Sequence, residues 1–217
     1  LRVRVYPLGR RDTKDEIEVD NPVTQVGDPF KVQATTSVAV ARKMAASVFG
    51  LSTQSAYRVK FRVEATDARL TGDSLGVAFA VGALVCLTQA EVLREKLTVS
   101  PHTAFCGALS PEGKLTPVDA EGLKRKIRRA FYSHLQTIVI PRRQLPQAWE
   151  YLSQLERESP GRKLELKGAD TLDEIIADPR LVAVERSGPI RYAARKAVRA
   201  GRTPWVEIPL LVIFLAI

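Results

Sequence analysis

Residues 74–87 read SLGVAFAVGALVCL, a run with no polar face. Leu75, Val77, Phe79, Val81, Leu84, Val85 and Leu87 point in every direction of a helical wheel, which predicts a helix buried on all sides. Just before it stands Thr71-Gly72-Asp73-Ser74, followed by Leu75-Gly76. Asp and Ser are preferred helix N-caps, so one reading is a capped helix and nothing more. The other reading is chemical. Gly72 permits a sharp turn, Ser74 offers a hydroxyl, and the free N–H groups around residues 72–75 suit a developing oxyanion. Both readings stand at this point.

Working outward, Leu1, Val3 and Val5 alternate with Arg2, Arg4 and Tyr6, which predicts a short half-buried strand; residues 15–19 are expected as its hairpin partner. Val38, Ala41, Ala45 and Val48 recur at helical spacing over 35–49, and Gly50 supplies the stop. Tyr57, Val59, Phe61 and Val63 alternate with Arg58, Lys60, Arg62 and Glu64, the cleanest strand pattern in the chain. Residues 88–100 read as a polar helix end and loop. Strands are expected at 103–109 and 114–118 around the turn Ser110-Pro111-Glu112-Gly113. A helix over 121–135, a buried strand over 137–140 closed by Pro141, a helix around 146–157, a strand at 164–166 and a helix from Thr171 complete the pattern. Thr171 and Glu174 have the spacing of a capping box. The rhythm is α/β, without an internal repeat or low-complexity tract.

Within 121–135 the apolar stripe runs through Leu123, Ile127, Ala130 and Phe131. Lys126 lies three after Leu123 and four before Ala130, so it shares that face, whereas Lys124, Arg125, Arg128 and Arg129 fall largely off it. A lysine on such a face either snorkels its ammonium to the rim or stays out of water as the neutral amine that a general base requires. A serine hydroxyl needs such a base before it can attack a carbonyl. The two histidines, His102 and His134, lie in neither motif. Ser74 with Lys126 therefore fits a serine–lysine dyad better than a serine–histidine triad.

The chain has 217 residues, of which 45% are hydrophobic, enough for one large domain with appendages. Its 33 Lys+Arg against 24 Asp+Glu give a net charge of +9, which favours anionic partners. Seven basic residues against the single acid Glu185 fall between Arg180 and Arg202, so much of the excess belongs to the tail. Cys86 and Cys106 lack the close pairing of a metal knuckle and point to a reducing compartment. The chain reads as a fragment of a longer protein, since it starts on Leu1 and stops inside the apolar run 208–217.

Several patterns carry nothing. Gly107 to Leu115 imitates a phosphate loop, but five residues separate its glycines and Leu115 stands where Ser or Thr should hold magnesium. No nucleotide-hydrolysing motor is expected here. Two histidines and two scattered cysteines are too few for a zinc site. Arg142-Arg143 reads as solvated surface, and no aromatic–basic interleaving marks a nucleic-acid stacking platform.

Four ordered motifs then resemble the proteolytic domain of the Lon family of serine–lysine peptidases. They are Gly72-Asp73-Ser74-Leu75-Gly76; Cys106-Gly107-Ala108-Leu109 with Gly113-Lys114-Leu115-Thr116-Pro117-Val118; Gly122-Leu123-Lys124-Arg125-Lys126; and Gln136-Thr137-Ile138-Val139-Ile140-Pro141. The resemblance covers roughly residues 30–178, with 170–175 similar to the family's closing helix. It differs in having Cys106 where the family has a threonine whose hydroxyl supports the lysine, and Ala108 where the family has Glu. Asp119-Ala120-Glu121-Gly122 replaces a double glycine, and the interval from Ser74 to Lys126 is longer, with the extra residues expected in the loop at 88–100.

The resemblance implies an α/β Lon-type proteolytic domain over 1–178, with mixed sheets and packed helices in a ribosomal-protein-S5-domain-2-like arrangement. It implies Ser74 as nucleophile, Lys126 as base, Gly72 and Asp73 as turn and oxyanion support, and Cys106 beside the dyad. The substrates would be polypeptides, and the chain would need no metal and no cofactor of its own. Any ATP requirement would belong to a motor domain or subunit elsewhere. Assembly into a homo-oligomeric ring, a hexamer in the intact protein, is the family expectation. The alternative, a catalytically silent Lon-like fold serving as an assembly or binding module, stays open. Residues 179–203 read as a basic juxtamembrane-like segment and 204–217 as an apolar segment. Basic residues, then Trp205, then the apolar run form the order in which a cytoplasmic domain leads into a truncated transmembrane helix, so membrane contact through 180–217 is expected at the inner face of a membrane, with no specific nucleic acid partner. Burial of the run against the domain is the competing reading.

Overall fold

The structure, a computed structural model, describes residues 1–8, 14–20, 26–63, 73–90, 93, 95–188 and 192–193. It is a mixed α/β assembly with several small sheets and five helices among the described residues. The first sheet joins β1 (Arg2–Pro7), β2 (Glu16–Asp20) and β3 (Tyr57–Arg62) in the order β1-β3-β2. The expected hairpin between the first two strands does not form. β3 lies between them, antiparallel to β1 and parallel to β2. Its inward residues Tyr57, Val59 and Phe61 are wholly buried, so it takes the central place. β2 and β3 are joined through α1 (Asp28–Phe49), the helical crossover that parallel strands require. That helix starts seven residues before the expected 35, with Pro29 in its first turn, and ends as expected on the left-handed Gly50.

α2 (Gly76–Ala90) is the predicted buried helix and packs on both α1 and β1. Phe79 meets Phe30 edge-on at 5.1 Å and Phe61 at 4.5 Å, which centres the first hydrophobic cluster on these helices and the first sheet. The stretch after α2 is not a loop throughout. β4 (Glu95–Val99) pairs antiparallel with β10 (Val182–Arg186), with Val182 opposite Val99. The basic stretch that begins at Arg180 thus opens inside the folded body, beyond residue 178. Val182 and Leu97 are fully buried there.

A second cluster lies on the parallel sheet β5-β8-β9, made of β5 (Thr103–Phe105), β8 (Thr137–Pro141) and β9 (Glu165–Ala169). α3 (Ala120–Phe131) and α4 (Leu145–Glu158) pack together and bury Leu123, Ile127, Phe131, Leu152 and Leu155. The single strand expected at 103–109 breaks at Cys106-Gly107. β6 (Ala108–Leu109) then forms a separate hairpin with β7 (Leu115–Thr116). α5 (Leu172–Ala177) follows, and Thr171 caps it by accepting from the Glu174 N–H at 3.3 Å. Glu174 returns a bond to the N–H of Asp170, one residue before the cap. No helix among the described residues is long and apolar enough to cross a membrane. The segment 204–217 lies outside them.

Candidate active site

Ser74 and Lys126 meet. The Lys126 ammonium nitrogen is in hydrogen-bond contact with Ser74 Oγ across 52 residues of sequence, and it reaches the Ser74 carbonyl oxygen at 3.4 Å. Its third neighbour is Cys106 Sγ at 3.7 Å. Leu123, Ile127 and Ala130 fix the rotation of α3 by burial, and the same rotation sends Lys126 inward to a half-buried position. Lys124 points elsewhere and pairs with Glu121 at 2.9 Å; that hydrogen bond and charge raise its pKa above the usual lysine value.

Ser74 does not cap α2. The helix begins two residues later, at Gly76, and the Ser74 hydroxyl is directed to Lys126. A turn precedes it, closed by the Gly76 N–H donating to the Asp73 carbonyl at 2.9 Å. Two backbone bonds tie this turn to the segment after β5. Gly107 N–H donates to the Ser74 carbonyl at 3.0 Å, and Val77 N–H donates to the Gly107 carbonyl at 3.1 Å. Gly107 sits at φ +148°, where a Cβ would stand 3.1 Å from Val77 and 3.3 Å from Pro141. Gly76 is equally constrained. Ser37 donates to its carbonyl at 2.8 Å, and a Cβ would fall 2.9 Å from the Leu109 nitrogen. Both glycines let backbone approach backbone beside the serine.

The N–H groups of Ser74 and Leu75 donate to no acceptor among the described residues. They stand at the positive end of α2, where unengaged donors favour negative charge. Asp73 is exposed and contributes its backbone to the turn, whereas Gly72 lies outside the described residues. Cys106 is 1% exposed, and burial pushes its thiol up, only partly opposed by the charge and hydrogen bond of Lys126. The sulfur therefore meets Lys126 as a neutral thiol, a weak acceptor.

No family model matches this chain, and no curated protein matches it in sequence.

The two histidines come together with ring centroids 6.1 Å apart, but at the far end of β5 from Cys106, roughly 13 Å of strand away. They take no part in the dyad. The expected phosphate-loop imitation is a hairpin turn, with Gly113 N–H donating to Ser110 at 2.9 Å, and no helix N-terminus follows it. No group of three or more potential metal ligands gathers among the described residues. Two concavities among the described residues lie away from the dyad. A groove of about 610 Å³ lies between Met44, Val48, Ile176 and Val184, and one of about 230 Å³ covers Arg4, Tyr6, Lys60 and Arg62. A nucleophile–base contact is a specific arrangement, whereas an extended chain can be held in a shallow cleft. Sequence reasoning missed Gln144, which is buried and holds both backbone groups of Val118, just before α3. It follows two surface arginines, and nothing in its neighbours marks it as an inward residue.

Proposed function

We propose that this chain is a Lon-like serine endopeptidase domain that hydrolyses peptide bonds in polypeptides with a Ser74–Lys126 dyad. The observation that carries the reading is the contact between the Ser74 hydroxyl and the amine of Lys126, the lysine that both the apolar periodicity and the motif resemblance selected. Ser74 Oγ attacks the scissile carbonyl carbon while neutral Lys126 takes its proton. The carbonyl π pair moves onto oxygen, towards the N–H groups of Ser74 and Leu75. Collapse breaks the C–N bond, and the Lys126 ammonium returns a proton to the leaving amine. Water then attacks the acyl-enzyme by the same route and regenerates the serine.

The reading brings further proposals with it. Assembly into a ring, sixfold in the intact protein, would pack several such domains together. Any ATP requirement belongs to a motor outside this chain, and the setting is the cytoplasm, at the inner face of a membrane if 204–217 opens a spanning segment. A second reading is favoured by one feature: the partner of Lys126 beside the dyad is a thiol, where a hydroxyl would hold the amine better. That feature suits a silent module of the same architecture.

A serine-reactive phosphonate separates the two. The dyad reading expects mass-shifted labelling at Ser74, abolished in Ser74→Ala and reduced at least 100-fold in Lys126→Ala. Absence of labelling in the folded wild-type chain would hand the case to the silent module.

A further inference from the structure

Three polar residues among the described ones are buried with their hydrogen-bonding groups turned to backbone: Ser37, Thr88 and Gln144. Ser37 holds the start of α2 through Gly76, and Thr88 accepts from Leu97 in β4. Gln144 is the most demanding of the three. Its Oε1 accepts from the Val118 N–H at 3.0 Å, and its Nε2 donates to the Val118 carbonyl at 2.8 Å. Both backbone groups of one residue are thereby paired by one amide, from 26 residues away. Val118 directly precedes Asp119, the N-cap of α3, whose carboxylate accepts from the Gly122 N–H at 2.6 Å. Two parallel hydrogen bonds fix both the height and the rotation of the segment they hold. Lys126 is seven residues beyond that cap, about 10 Å along the axis. A slip at the start of α3 therefore carries the amine away from Ser74.

We propose that Gln144 is the positioning residue for Lys126: it sets where α3 begins and so where the amine stands. The proposal rests on the dyad reading. Gln144→Met, nearly equal in length and volume, cannot pair with Val118. It is expected to keep the fold by circular dichroism and KM for a fluorogenic peptide within about twofold. Its kcat and its rate of phosphonate labelling at Ser74 should fall together by roughly 10- to 100-fold, the penalty of a small misplacement of a reacting group. Gln144→Glu still accepts from the Val118 N–H but sets an acceptor against the Val118 carbonyl, so it too should lose kcat and labelling together. It carries the test if the Met variant does not fold. A folded variant that labels at the wild-type rate, or one that raises KM and leaves kcat alone, overturns the role of Gln144 while the dyad reading survives. A wild-type chain whose Ser74 does not react overturns both.

Discussion

Lys124 and Lys126 are two residues apart on one helix and meet opposite surroundings. The first pairs with Glu121 at the surface, the second with Ser74. Lys124→Ala should therefore leave labelling and peptide cleavage within about twofold of wild type, while Lys126→Ala removes them; a dead Lys124→Ala with an active Lys126→Ala would reverse the assignment. Cys106 gives a pH signature. Burial raises its thiol, and that of Cys86 too, so the unfolded chain ionises first as pH climbs. The folded state is favoured in full below the usual thiol range, near pH 8.5, and loses that advantage as pH rises towards the raised value. Melting temperature should fall above about pH 8.5, and Cys106→Thr should flatten part of that fall. Lys126 was legible in the sequence because four apolar neighbours of known spacing define one face. Gln144 was not, because its partner is backbone 26 residues away and backbone has no letter.

The turn, the hairpin and the helix starts are held by short backbone contacts with little slack. Gly107→Ala forces a β-carbon against Val77 and Pro141 at a φ that side chains rarely adopt, which should cost about 1–3 kcal/mol and slow Ser74 labelling as the turn shifts. Urea unfolding gives the first effect and phosphonate kinetics the second; an unchanged labelling rate would show that the Ser74 turn stands without this clasp. Asp119→Ala removes the cap of α3 and should cost about 1 kcal/mol. Long, strongly periodic elements such as α2, α3 and β3 could be read directly. β4 and β10 could not, because each is short, fully buries only one residue and finds its partner more than eighty positions away. The place of β2 was misjudged for a related reason. Alternation tells which face a residue occupies and is silent about which strand lies beside it.

Across the molecule, Leu181 and the first residue of β10, Val182, are buried in the first cluster and close the body. Ending the chain at residue 178 should remove about 3–5 kcal/mol of apolar burial and lower the melting temperature by about 6–20 °C, measurable by calorimetry. Ring assembly predicts light-scattering masses above the 24.0 kDa of one chain at high concentration. A fully active monomer would show that the site is complete in one copy. The dyad itself spans two hydrophobic clusters, with the serine at the head of a helix in one and the lysine on a helix of the other. Neither cluster contains the reaction; only their docking does. The two clusters share a wall, since β8 gives Val139 to the first and Ile138 and Ile140 to the second. Alternate residues of one strand therefore hold serine and lysine in register from opposite faces, and a one-residue slip of β8 would disarm the pair without touching either side chain.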